Sequence, residues 1–135
     1  MRVKILVIGI VKKENKILLR KKPEGSPPYK ETWYLFGGEL TGETTPEKAI
    51  QKELEKQAGI KIKMTKQLGW DTEVKEDLDA ERKLFVYLDC LCEYLSGKLK
   101  PGEGIEKLEW VEIKNLGKYD HVPPSRKLLK KLGYL

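Results

Sequence analysis

The stretch FGGELTGETTPEKAIQKELEKQAGI, residues 36–60, decides the fold because it carries a turn, a helix start, a helix and a helix end in that order. Thr45 can act as the N-cap, and Pro46 suits the first helical position, where no backbone N–H is needed. Gly59 can end the helix in a left-handed conformation. Aliphatic residues at four-residue spacing predict one packed stripe, formed by Ile50, Leu54 and Ala58. We therefore predict an amphipathic helix between Pro46 and Gly59.

The bulk composition is typical of one compact domain over residues 1–135, with 39% hydrophobic and 36% charged residues. No apolar run reaches the ~18–20 residues of a membrane-spanning helix. Residues 1–16 combine a basic start with an apolar run, as a signal peptide does, but no small-residue cleavage site follows. We interpret this segment as a strand and expect a cytoplasmic protein.

Strands are predicted on both sides of the helix. Before the helix they are Val3–Val11, Ile17–Arg20 and a short strand Trp33–Phe36 stopped by Gly37 and Gly38, with a loop over residues 23–31. After the helix they are Lys61–Trp70, Lys83–Leu95 and Leu108–Val111, with a polar loop or hairpin tip over residues 71–82 and a final helix Arg126–Leu132. This order indicates an α+β fold with a mixed sheet and outer helices rather than alternating βαβ units.

The strand Lys83–Leu95 carries apolar residues at every second position, which places them on one face. They are Leu84, Val86, Leu88, Cys90, Cys92 and Tyr94. Two cysteines separated by one residue in an extended chain make a poor disulfide, so we interpret both as small core residues. A zinc site is not indicated, because the chain has a single histidine.

The formal net charge of +6 favours attraction for a ligand that carries phosphate. A nucleic-acid partner is the less favoured interpretation, because acidic residues are interleaved with the basic ones and no basic-aromatic stacking motif stands out.

Residues 37–60 resemble the signature of the Nudix hydrolase family (MutT-like), G-x5-E-x7-R-E-U-x-E-E-x-G-U, where U is aliphatic. The matching positions are Gly38, Glu53, Leu54, Gly59 and Ile60. Thr44 stands in place of the first Glu, Lys52 in place of the Arg, and Lys56 and Gln57 in place of the Glu pair. The segments LLRKK, TWYLFGGE and EKLEWVEIKNL also resemble family landmarks in their usual order.

The resemblance implies a mixed β-sheet sandwiched between α-helices (α/β/α) and a hydrolase that cleaves a nucleoside diphosphate linked to another moiety. It implies Mg²⁺ or Mn²⁺ as cofactor and a nucleotide or other diphosphate-containing small molecule as ligand. The implied catalytic residues are Glu53 and Glu103, and the implied metal ligands are Glu53, Gln57, Glu43 and Glu103. The implied substrate contacts are Arg20, Gly37, Gly38, Lys52 and Arg126. A homodimer is one open possibility for the oligomeric state.

The substitutions weaken the acidic set that the chemistry needs. Helix positions 53, 56 and 57 share one face, and Lys56 brings a positive charge where the signature has a negative one. Gln57 keeps an oxygen without the charge. The alternative function is therefore a degenerate Nudix domain that binds a nucleotide or a protein partner without hydrolysis.

Several other polar residues are interpreted as surface or structural groups. Glu39 and Glu106 are read as solvated carboxylates, and His121 as a structural loop histidine. Ser125 and Arg126 follow Pro-Pro, where some family members read a purine, but an Arg favours other base edges or a phosphate.

Overall fold

The computed structural model describes residues 1–135 and contains seven strands, two α-helices and one 3-10 helix. The strands are β1 (Arg2–Lys13), β2 (Lys16–Lys21), β3 (Trp33–Tyr34), β4 (Phe36–Glu39), β5 (Lys61–Glu76), β6 (Arg82–Ser96) and β7 (Lys107–Glu112). The helices are α1 (Pro46–Ala58), α2 (Pro123–Lys131) and the 3-10 helix Ile113–Lys118. None of the helices has the length and apolar character needed to cross a membrane.

All seven strands form one mixed sheet. Strand β1 runs parallel to β6, with Arg2 opposite Lys83 and Lys12 opposite Glu93, and antiparallel to β2 and β4. Strand β5 forms an antiparallel ladder with β6, and β2 pairs with both β3 and β7. The prediction of a mixed sheet is confirmed.

The sheet separates two hydrophobic cores. Because successive side chains of a strand point to opposite faces, β1 contributes to both cores. The α1 side buries Val7, Val11, Leu18, Phe36, Ile50, Leu54, Ile60 and Ile62. The α2 side buries Ile10, Ile17, Leu19, Leu35, Val111, Leu116, Leu128 and Leu129. This arrangement confirms the predicted α/β/α sandwich.

Helix α1 forms as its sequence predicts. The Thr45 side chain accepts a hydrogen bond from the Lys48 N–H at 3.2 Å, and Pro46 is the first helical residue. Gly59 ends the helix at φ 71°, a left-handed conformation that suits glycine, and its N–H donates to the Glu55 carbonyl. The stripe of Ile50, Leu54 and Ala58 is buried against the sheet.

The prediction that Gly37 and Gly38 stop a strand at Phe36 is wrong. Both glycines lie inside β4, opposite Ile8 and Val7 of β1. A glycine inside a strand often marks a close approach of another backbone, and here that backbone belongs to α1. The sequence shows that Gly38 has no side chain, but it does not show which neighbour makes a glycine necessary there.

The prediction of a loop or hairpin tip over residues 71–82 is wrong for residues 71–76, while residues 77–81 do form the tip of the hairpin between β5 and β6. Strand β5 continues to Glu76, and its polar residues pair with β6 from Arg82 to Tyr87. The polar composition has a physical reason, since alternate side chains of this segment form a hydrogen-bonded cluster described below. The final helix also begins earlier than predicted, at Pro123 instead of Arg126.

Both cysteines are free and buried in the α1 core, with their Sγ atoms 3.7 Å apart. This confirms their interpretation as core residues. In the N-terminal half of β6, the residues on the same face are only half-buried, namely Leu84, Val86 and Leu88. Phe85 and Tyr87 on the opposite face are buried.

Candidate functional site

The candidate site begins where β4 passes beneath α1 at Gly38. A Cβ atom on Gly38 would lie 2.7 Å from the Ala49 carbonyl oxygen and 3.3 Å from Cβ of Glu53. Only a glycine allows this approach, so Gly38 brings β4 directly beneath the helix. Glu53 is half-buried at this contact.

Arg20 lies next to the same face of α1. Its Nε donates to the Leu35 carbonyl at 3.0 Å, and its Nη1 donates to Oε1 of Gln57 at 3.2 Å. Its guanidinium also lies over the rings of Tyr34 and Phe36, 5.3 and 5.4 Å from their centroids. Burial lowers the pKa of Arg20, and the charge of Glu53 acts in the opposite direction. An arginine remains protonated in proteins, so the site holds a fixed cation beside Glu53 and Gln57.

The loop that carries Glu103 packs against the C-terminal end of α1. The Gly102 N–H donates to the Gln57 carbonyl at 2.9 Å, and the Lys100 N–H donates to the Ala58 carbonyl at 2.8 Å. A Cβ atom on Gly102 would collide with the Lys56 carbonyl oxygen. The structure therefore brings the loop of Glu103 to the helix turn of Gln57, while the Glu103 side chain stays exposed.

The acidic residues do not come together as a three-carboxylate centre. No group of three or more His, Cys, Asp or Glu side chains is arranged to hold a metal ion. Glu43 is exposed in the loop before α1, and Lys52 and Lys56 are exposed on the helix. The roles of Glu43, Glu53, Gln57, Glu103 and Lys52 remain predictions.

The remaining predicted residues divide between surface and core. Arg126 is exposed on α2. Ser125 is buried, and its hydroxyl accepts a hydrogen bond from the Leu35 N–H at 3.0 Å. His121 is also buried, with Nε2 2.7 Å from the Leu116 carbonyl oxygen. Glu39 and Glu106 lie at the surface in long ion pairs with Lys4 and Lys21, at 3.9 and 3.5 Å.

A cavity of about 170 Å³ opens on the α2 side of the sheet, and the sequence reasoning missed it. Arg20 lines this cavity and also contacts Gln57, so the cavity and the α1 site share one side chain. Its charged and aromatic lining consists of Lys4, Arg20, Lys22, Tyr29, Tyr34, Lys75, Asp77, Phe85 and Tyr87. The signal in the sequence was the pair of aromatic residues at alternate positions of β6, Phe85 and Tyr87, which share one face of the strand.

A hydrogen-bonded cluster closes one wall of the cavity. The hydroxyls of Tyr29 and Tyr87 both donate to Oε1 of Glu73 at 2.6 Å, and Nζ of Lys75 lies 3.3 Å from the same oxygen. Burial opposes the charge of Glu73, but the hydrogen bonds from both tyrosines and the Lys75 charge outweigh it, so the pKa of Glu73 lies below its ordinary value. Glu73 is therefore a carboxylate already occupied by three partners.

The chain is similar in sequence to a protein family and to several characterised proteins. The sequence model of the NUDIX domain matches residues 1–132. The ADP-ribose pyrophosphatase of Methanocaldococcus jannaschii is 29% identical over 119 residues, covering 87% of this chain and 68% of the relative. The nucleoside triphosphatase NudI of Escherichia coli is 24% identical over 141 residues, covering 100% of both chains.

Solved structures show the same fold. A MutT NUDIX hydrolase from Burkholderia pseudomallei superposes with a TM-score of 0.74 at 21% identity, covering 98% of this chain and 99% of the other. A MutT protein from Methanosarcina mazei superposes with a TM-score of 0.72 at 16% identity, covering 98% and 94%. At these identities the superpositions establish the architecture alone.

Proposed function

The chain belongs to the NUDIX family, and from this membership we propose that it hydrolyses a diphosphate linkage in a nucleotide or a related small molecule with the help of Mg²⁺ or Mn²⁺. The names of its relatives, a pyrophosphatase and a nucleoside triphosphatase, support a hydrolase. They do not favour the alternative of a domain that only binds.

One observation carries the proposal: the close contact at Gly38 places Glu53 against β4, next to Arg20 and Gln57. Glu53 occupies the signature position that matches the family, and Arg20 supplies a cation suited to phosphate oxygens. Both groups are held on rigid elements, so the carboxylate can bind a metal cation while the guanidinium binds a phosphate.

The oxygen donors present fit a hard divalent cation. Mg²⁺ usually takes one or two protein carboxylates and completes its shell with water and substrate phosphates. Glu53 would hold it together with the amide oxygen of Gln57, which keeps a second lone pair beside its hydrogen bond from Arg20. Glu43 and Glu103 are the further acids proposed from the sequence. When bound, such a cation offsets the negative charge of the diphosphate.

Arg20 is proposed to bind the phosphate. A guanidinium has five N–H donors, and the contacts to Leu35 and Gln57 leave others for phosphate oxygens. Glu103 is proposed as the second catalytic carboxylate because its loop is fixed against the Gln57 turn. Gly37 and Gly38 are proposed to bring the β4 backbone close to the ligand, and Lys52 and Arg126 are proposed as outer contacts to substrate phosphates.

Replacing Lys56 with glutamate should strengthen metal binding. Lys56 is exposed, forms no ion pair and lies one helical turn after Glu53. The substitution changes the local charge by about two units, and each unit contributes ~1 kcal/mol at contact distance in water. We expect the Mn²⁺ affinity of Lys56→Glu to rise about 30-fold, measured by titration calorimetry. Lys48→Glu makes the same charge change farther away on the same helix, and an equal gain in that variant would show only a general charge effect.

The proposed activity is tested by product release from ADP-ribose, nucleoside triphosphates and dinucleoside polyphosphates with Mg²⁺ or Mn²⁺. We expect turnover of at least one of these substrates and its loss on chelation of the metal. Nucleotide binding by calorimetry without turnover of any of them would contradict hydrolysis and support the alternative of a binding domain.

A further inference from the structure

We propose that the cavity on the α2 side of the sheet binds an anionic group of the substrate, a phosphate or a carboxylate, through Lys22. The substrate would then carry a second anionic group in addition to the diphosphate. This inference rests on the proposed function, because Arg20 connects the cavity to the α1 site.

The first argument is the charge balance of the cavity. Nζ of Lys4 lies 3.1 Å from Asp77, and Nζ of Lys75 lies 3.3 Å from Glu73, so these two lysines are each paired with a carboxylate. Lys22 lines the same cavity but takes part in no ion pair and in no side-chain hydrogen bond. The cavity therefore holds an ammonium group without a counter-charge.

The second argument is the environment of Lys22. Its side chain is half-buried, and Nζ lies 4.5 Å from the centroid of the Tyr34 ring. Burial, together with the charges of Arg20 and Lys75, lowers the pKa of Lys22 to about 8, while Glu53 acts in the opposite direction. An anion in the cavity would counter these effects and stabilise the charged form of Lys22.

The third argument concerns a neutral ligand. An uncharged group that filled the cavity would remove water from Lys22 without giving it a partner, and burying an unpaired charge is strongly unfavourable. Aromatic walls alone do not avoid this cost, because Tyr29 and Tyr87 already donate their hydroxyls to Glu73. The hydroxyl of Tyr34, in contrast, is buried without any partner beside the cavity. The cavity is thus better suited to an anionic group than to a neutral one.

The test compares ligands that differ by one anionic group. ADP-ribose and ADP-ribose 2′-phosphate form the phosphate pair, and UDP-glucose and UDP-glucuronate form the carboxylate pair. Binding to the full chain is measured by titration calorimetry without divalent metal. We expect the anionic member of one pair to bind about tenfold more tightly, and the pair that shows the preference identifies the source of the anion.

The variants assign the preference to Lys22. The preference for the anionic ligand should disappear in Lys22→Gln and persist in Lys22→Arg. It should also persist in Lys21→Gln, because Lys21 pairs with Glu106 at the surface. Equal affinities within both pairs, no binding of any of the four ligands, or an unchanged preference in Lys22→Gln would overturn the proposal. Absence of turnover with metal of these four ligands and of the nucleoside triphosphates and dinucleoside polyphosphates named above, alongside a preserved preference, would contradict the proposed hydrolysis and leave this inference supported.

Discussion

Replacing Glu53 with glutamine should lower kcat/KM for the diphosphate substrate by about 100-fold or more, because the half-buried carboxylate is the main charged donor proposed for the cation. A metal ion contributes several kcal/mol to stabilising the charge of the transition state, and each 1.36 kcal/mol is tenfold in rate. Glutamine keeps the size and one oxygen but loses the charge. Steady-state kinetics with Mg²⁺ and with Mn²⁺ measure the loss.

The matched control is Glu55→Gln on the same helix. Glu55 is exposed and lies on a different side of α1 from Glu53, so its change should leave kcat/KM within about twofold of the parent chain. Equal losses in the two variants would mean that the charge of the whole helix matters and that Glu53 has no particular role. Both variants should unfold at the same denaturant concentration as the parent.

Replacing Gly38 with alanine should lower the free energy of unfolding by about 1–3 kcal/mol. The added Cβ would lie 2.7 Å from the Ala49 carbonyl oxygen, which belongs to a backbone and cannot rotate away as a side chain can. Helix α1 and β4 would have to separate, which would also move Glu53. Denaturant unfolding measures the loss of stability. Steady-state kinetics on the same sample measure whether the displacement of Glu53 lowers kcat/KM.

Gly37→Ala is the control for this prediction because it makes the same change one residue earlier. Its Cβ would meet Cδ1 of Ile8 at 3.1 Å, the flexible end of a side chain. We expect a clearly smaller loss of stability for Gly37→Ala. If Gly38→Ala were as stable as the parent chain, the close contact between β4 and α1 would not be what positions the helix.

Helix α1 was predictable from the sequence because its signals are local. Thr45, Pro46 and Gly59 each act within a few residues, and the stripe of buried residues needs only the helical period. The mixed sheet and the two helical layers followed from the order of the elements and from the family resemblance. These predictions did not require knowing which distant residues meet.

The features that were mispredicted depend on contacts between distant segments. Gly38 lies inside β4 because it pairs with Val7 of β1, and it is a glycine because the Ala49 carbonyl of α1 approaches it. Nothing near Gly38 in the sequence indicates either contact. The segment 71–76 is polar because Glu73 and Lys75 bond to Tyr29 and Tyr87, which lie far away in the chain. A polar strand with buried partners and a polar loop have the same composition.

The candidate site was predicted as a set of residues but not as an arrangement. The hydrogen bond from Arg20 to Gln57 joins positions 37 residues apart. Gln57 stands where the signature has a glutamate, and Arg20 is the residue predicted to bind phosphate. The unpaired charge of Lys22 was also hidden, because a lysine gives no local sign of whether a carboxylate will fold beside it. Its partners had to be found in the folded chain.

Binding of Mn²⁺, followed by electron paramagnetic resonance in the presence of ADP, tests most directly whether Glu53 organises a metal-dependent site. We predict that the full chain binds Mn²⁺ together with the nucleotide, that Glu55→Gln binds it equally well, and that Glu53→Gln loses the protein-bound signal. Equal Mn²⁺ binding by Glu53→Gln and the parent chain, or no binding by the parent chain, would contradict this assignment.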